Sequence, residues 1–121
     1  MIFNKEKILR FFYQPKIYPE ALEAYYNRLP DSIEVEWQRD GKYIVGKINA
    51  GDKKFMTQAI SAKEFVDMVN DALLVVYNIP EAYFNSLASR KFQPGIEQFK
   101  AMNDVAIKKS TIEFSKVAIP A

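Results

Sequence analysis

Apolar and polar positions alternate over Ile33–Trp37. Ile33, Val35 and Trp37 face one way and Glu34 and Glu36 the other, the period-2 pattern of a half-buried strand. Arg39-Asp40-Gly41-Lys42 then carries Asp-Gly, a hairpin signal, because glycine accepts the positive φ that a tight turn needs. Tyr43–Ile48 reads as the returning strand, Ala50-Gly51-Asp52-Lys53 as a loop and Lys54–Ile60 as a third strand. Gly46, inside the second strand, marks a bulge or the close approach of another backbone. After Ile60 the period changes. Phe65, Val69, Ala72, Leu73 and Val76 recur at helical spacing, Met68 and Leu74 broaden that stripe, and Asp67, Asn70 and Asp71 mark a polar side. Ser61 and Glu64 match the S-x-x-E capping box, and the helix should end near Asn78, ahead of Pro80.

The flanks are helical in pattern. Residues 4–13 form a short amphipathic stretch with Asn4 as N-cap and Ile8, Leu9, Phe12 and Tyr13 on one side, stopped at Pro15. A second short helix follows, with Pro19 in its first turn, Glu20 near its positive end, Leu22, Tyr25, Tyr26 and Leu29 on its apolar side, and Pro30 at its end. Glu81–Phe92 reads as a helical turn or short helix. After the break at Pro94-Gly95, Ile96–Lys109 suits another helix with Ile96, Phe99, Met102 and either Val105 or Ala106 facing in. Thr111–Ile119 alternates Ile112, Phe114, Val117 and Ile119 and is expected to close the sheet as a fourth strand. The pattern therefore predicts an α+β fold: a small antiparallel sheet of three or four strands packed against one main helix, with short flanking helices. It forms one domain over residues 1–121, with an N-terminal helical extension (1–31), a βββα core (32–80) and C-terminal helices with the closing strand (81–121).

Composition narrows the chemistry. The 121 residues are 49% hydrophobic and 14% aromatic, enough for a real core, and the net charge of +2 is too small to argue for nucleic acid by itself. The absence of cysteine excludes disulfides, thiolate metal sites and cysteine nucleophiles. The absence of histidine removes the usual general base and the commonest metal ligand. No apolar run approaches the roughly 18 residues of a membrane span. The N-terminal residues lack the apolar core of a signal peptide, so a cytoplasmic location is expected. Asp67 and Asp71 share a helix face and are the one carboxylate pair that could hold magnesium with a phosphate substrate, although a solvated polar face is the ordinary role of such residues. Glu34 and Glu36 form a second such row. Neither a phosphate-binding glycine loop nor a serine triad is present, and no cofactor, metal or catalytic group is expected.

The better candidates are basic and aromatic. Arg39, Lys42, Lys47, Lys53 and Lys54 lie on or near the hairpin, with Trp37 and Tyr43 close in sequence. Charge and stacking together make Trp37, Arg39, Lys42, Tyr43, Lys47 and Lys54 a candidate partner-binding or nucleic-acid-binding surface. The competing role is ordinary: lysine guards exposed strands, and Trp37 and the Tyr25-Tyr26 pair fill a core or a subunit interface. Arg90-Lys91 and Lys108-Lys109 make a second basic cluster.

The central segment resembles the HicB-like antitoxins. The resemblance rests on the strand, Asp-Gly turn and aromatic return of IEVEWQRDGKYIVGKIN, then Met56-Thr57-Gln58-Ala59, then the capped acidic-aliphatic helix from Ser61 to Tyr77. It covers roughly 45 of the residues. A proline-glycine-cysteine-type segment before Thr-Gln is replaced here by Asn49–Lys53, residues 1–31 have no counterpart, and no C-terminal helix-turn-helix or ribbon-helix-helix module follows. The resemblance implies a partial RNase H-like fold without its acidic active site. It also implies a non-enzymatic protein that binds and neutralises a small ribonuclease toxin. A nucleic-acid binder using the basic hairpin face and an uncharacterised structural or regulatory domain are the alternatives. A homodimer is expected besides, because small sheets need their edges covered.

Overall fold

The computed structural model describes residues 17–87 and 91–116. The amphipathic stretch 4–13 and the end of the expected closing strand, with Val117 and Ile119, lie outside them. The elements in chain order are α1 (Pro19–Arg28), β1 (Ser32–Asp40), β2 (Tyr43–Ala50), β3 (Lys53–Ala59), α2 (Ala62–Val76), a 3-10 turn (Glu81–Tyr83) that runs into α3 (Phe84–Leu87), β4 (Phe92–Gln93), α4 (Ile96–Asn103) and β5 (Lys109–Lys116). The strands form one sheet in the order β3-β2-β1-β5-β4, antiparallel throughout. The α+β class and the sheet-on-helix packing are those the periodicity predicts. Among the described residues the sheet has five strands rather than three or four. The additional one, β4, is two residues long and too short to leave a period in the sequence.

Two hairpins build the β1-β2-β3 meander. In both, only the first of the two central residues has positive φ: Gly41 and Gly51, each at +59°. That is the pattern of a II′ turn, whose twist matches the strands it joins. Ile33, Val35 and Trp37 of β1, Ile44 and Ile48 of β2, and Ile112 and Phe114 of β5 point to one face. There they meet Phe65, Val69 and Leu73 of α2. Each such side chain stabilises the fold by about 1.5–3 kcal/mol when fully buried. Phe65 meets Phe114 edge-to-face at 6.4 Å between ring centres. At the start of α2, Ser61 Oγ accepts from the Glu64 N–H at 3.1 Å, which is one half of the expected capping box.

Several inward-facing assignments change. Met68 is exposed, and Asn70, expected on the polar side of α2, is buried because it docks β4. Ile96 and Val105 are 75% and 71% exposed. Helix α4 is only eight residues long and ends at Asn103, so it presents one narrow stripe, with Met102 buried and Phe99 half-buried. Tyr25 packs edge-on against Tyr83 at 4.9 Å, which ties α1 to the 3-10 turn.

Two partly buried side chains give stability an alkaline pH dependence. Burial, and secondarily the charge of Asp52, raises the pKa of Tyr77, whose hydroxyl donates to the Ala50 carbonyl at 2.9 Å. Burial lowers the pKa of Lys116 in spite of Asp31 at 3.9 Å; its side chain is 15% exposed and donates to the Tyr26 carbonyl. The folded chain releases the Lys116 proton before the unfolded chain does. Stability therefore rises with pH as the lysine's ordinary value, about 10.4, is approached from below. The folded chain keeps the Tyr77 proton longer, so that contribution is lost as pH rises above about 10. Urea titrations between pH 8 and 11 should show a rise removed by Lys116→Met and a fall removed by Tyr77→Phe.

Candidate functional site

None of the described helices lies on the face of the sheet opposite α2. Residues directly opposed in the register share a face, so the open side can be read as rows across the strands β3, β2, β1 and β5. One row is Lys54, Asn49, Glu34 and Glu113; the next is Met56, Lys47, Glu36 and Thr111; the third is Gln58, Val45, Gln38 and Lys109. Glu34, Glu36, Lys47, Lys54, Gln58, Lys109, Thr111 and Glu113 are all exposed, and Met56 is 68% exposed. A shallow groove of about 560 Å³ runs across the second and third rows. In the first two rows charge is divided by strand: Lys47 and Lys54 lie on β2 and β3, and Glu34, Glu36 and Glu113 on β1 and β5, while Lys109 in the third row puts a lysine on β5 as well. Among the described residues none of these five forms an ion pair. Glu34 accepts from Asn49 Nδ2 at 3.2 Å.

The six sequence candidates do not form one surface. Trp37 is 2% exposed and belongs to the buried face, because it alternates with Glu36 and Gln38. Its Nε1–H finds no acceptor among the described residues. Arg39 lies on the same side of β1 as Trp37, with its guanidinium 5.6 Å from the Trp37 ring. It donates to the carbonyls of Met102 (2.7 Å), Asp104 (3.1 Å) and Ile107 (3.2 Å). Arg39 thus binds the C-terminal end of α4, where unpaired carbonyls and the helix dipole favour a cation. Lys42 and Tyr43 sit at the hairpin, with the Lys42 ammonium 5.4 Å from the Tyr43 ring. Only Lys47 and Lys54 reach the open face proper, and there they stand beside carboxylates instead of forming a basic field.

The remaining candidates are mostly occupied. Asp67 is paired with Lys91 at 2.9 Å, so Asp67 and Asp71 are not a free carboxylate couple. In the second basic cluster Arg90 lies outside the described residues, and Lys108 Nζ donates to the Val105 carbonyl. No group of three or more acidic side chains among the described residues is placed to hold a metal ion. A cleft of about 370 Å³ lies between α2 and α3, lined by Leu73, Leu74, Phe84 and Phe92 with Asp71 and Lys91 at its rim. None of the described helices is long and apolar enough to cross a membrane.

The two sheet edges differ. At one edge β4 pairs for only two residues, a short end that blunts further pairing. At the other, β3 pairs with β2 without a bulge over all seven of its residues. It contains no proline, and from Phe55 to Ala59 it carries no charge. Natural sheets guard edges with charge, proline or bulges, and apart from Lys53 and Lys54 at its start β3 has none of them. The sequence allows for binding at an exposed sheet edge but does not say which strand forms it, because the order of strands in the sheet is not written in their periodicity. Comparison with family models, with curated proteins and with solved structures finds no match for the chain.

Proposed function

We propose that this chain is a protein-binding module that takes an extended segment of a partner along the outer edge of β3. The observation that carries the reading is the unguarded, bulge-free run Phe55–Ala59 on an edge strand. In a two-residue hairpin the closing pair, Ala50 and Lys53, exchanges both backbone hydrogen bonds. Alternation along the strand then turns the N–H and C=O of Lys54, Met56 and Gln58 outward, where a partner strand can pair with them. Read with the HicB-like resemblance of Ile33–Tyr77, the partner is a small basic ribonuclease, and binding neutralises it by covering its surface. No described residue has to perform chemistry for this.

The test is co-expression with small basic proteins encoded next to this one. A stable complex is expected that suppresses RNA cleavage by the partner. Met56→Pro removes one outward N–H at an edge, where proline is tolerated, and should abolish capture while leaving the circular dichroism spectrum intact. Failure to isolate any such complex, or full capture by a folded Met56→Pro variant, removes the reading.

A further inference from the structure

We infer that the open face of the sheet is a self-complementary docking surface for a second copy of this chain. Charge and register on this face carry it, and neither depends on what the β3 edge binds. In the first two rows of a face that no described helix covers, lysines occupy β2 and β3 and glutamates β1 and β5; the one further charge in the three rows, Lys109 of β5, lies in the third, opposite the neutral Gln58 under the pairing below. A twofold axis in the plane between two such faces can run across the strands or along them. Across the strands, it lays β3 on β3 and lysine on lysine. Along the strands, between β1 and β2, it lays β3 of one copy on β5 of the other and β2 on β1, while every residue keeps its row. Lys54 then meets Glu113 of the second copy, Lys47 meets Glu36, and Met56 lies over Thr111. Strand directions stay near alignment, as in sheet sandwiches, and the interface is isologous.

The rows also make the idea separable from packing within one chain. Lys54 and Glu113 stand at opposite ends of their row, three strand spacings apart, which is about 14 Å. Direct coupling between them within one copy is therefore small, and coupling in self-association reports the second copy. Lys47 is different, because it faces Glu36 across β1 and β2 in its own sheet.

Sedimentation velocity over a wide concentration range at low salt tests this. A monomer–dimer equilibrium is expected, weakened as salt screens the exposed charges. Lys54→Glu alone, which places like charges together twice, should weaken dimerisation at least about tenfold. The matched exchange Lys54→Glu with Glu113→Lys should restore it. The mismatched exchange Lys54→Glu with Glu36→Lys should not, and thermal melts establish that each variant is folded. A chain that stays monomeric at every concentration overturns the inference, as do matched and mismatched exchanges that behave alike. Neither result touches capture of a partner at the β3 edge, which is read separately by the Met56→Pro variant.

Discussion

Replacing Gly46 by valine is expected to lower the unfolding free energy by about 3 kcal/mol, at the upper end of ordinary overpacking. Gly46 lies in the middle of β2, opposite Trp37 on β1 and Thr57 on β3. A Cβ built there overlaps the ring of Phe65, which sits on the glycine as part of the contact between α2 and the sheet. Elsewhere in a strand the sign would be reversed, since valine suits a pleated surface and glycine weakens it. The loss is thus specific to the ring. Phe65→Ala alone should cost about 3–5 kcal/mol, as for other buried phenylalanines. The double variant Gly46→Val/Phe65→Ala should cost less than the sum, because valine enters the space the ring vacates. Urea denaturation of the four proteins measures the coupling. Additive losses would mean that the ring and the glycine do not share the space.

The meander and main helix were legible because their signals are local. Ile33, Val35 and Trp37 alternate, Gly41 and Gly51 supply positive φ, and Ser61 caps α2; each acts within a few residues. Gly46 was legible as a close approach, though the approaching group is a side chain and not a backbone. The C-terminal third was less so. Ile96 and Val105 look inward by spacing, but the orientation of α4 is set by Met102 and by Arg39, which comes from a strand more than sixty residues earlier. Arg39 shows the same limit from the site's side. Its neighbours in sequence, Lys42 and Tyr43, suggested a binding surface, while its partners in space are carbonyls that no local pattern announces. Strand order is equally nonlocal, so neither the free edge at β3 nor the division of charge across the open face could be read before β5 was placed beside β1.

Both surfaces follow from that one placement. Once β5 pairs along the edge of β1 that β2 leaves free, β3 is left at the border of the sheet, and Glu34, Glu36 and Glu113 stand together on β1 and β5, with Lys109 beyond them in the third row. The lysines that looked like part of a basic patch then form the opposite half of a mixed face. A basic field for nucleic acid needs clustered charge of one sign. On this face Lys47 and Lys54 share their rows with Glu36, Glu34 and Glu113.

Asn70→Leu should cost roughly 2–6 kcal/mol, with the damage concentrated at β4. Asn70 is buried on α2 and treats the backbone of Phe92 as a strand would. Its Oδ1 accepts from the Phe92 N–H at 2.7 Å, and its Nδ2 donates to the Phe92 carbonyl at 3.0 Å and to the Val66 carbonyl at 2.8 Å. Leucine has similar volume and offers neither group. The Phe92 N–H and C=O are then left without their partner beneath a side chain that is 1% exposed, and each unsatisfied group costs about 1–3 kcal/mol. Asn70→Asp separates the two bonds. Its carboxylate still accepts from the Phe92 N–H but faces the carbonyl with a negative charge, which raises its pKa in the folded state. Protonated, it can donate to that carbonyl again. The Asp variant should therefore be least destabilised at acid pH and lose stability as pH rises above about 4, the ordinary aspartate value. Hydrogen exchange at the Phe92 amide gives the local reading and should accelerate well before the β1 amides do. A Leu variant within about 1 kcal/mol of the parent, well below the cost of two unsatisfied groups, would show that the Phe92 ring and the pairing with β5 hold β4 without Asn70.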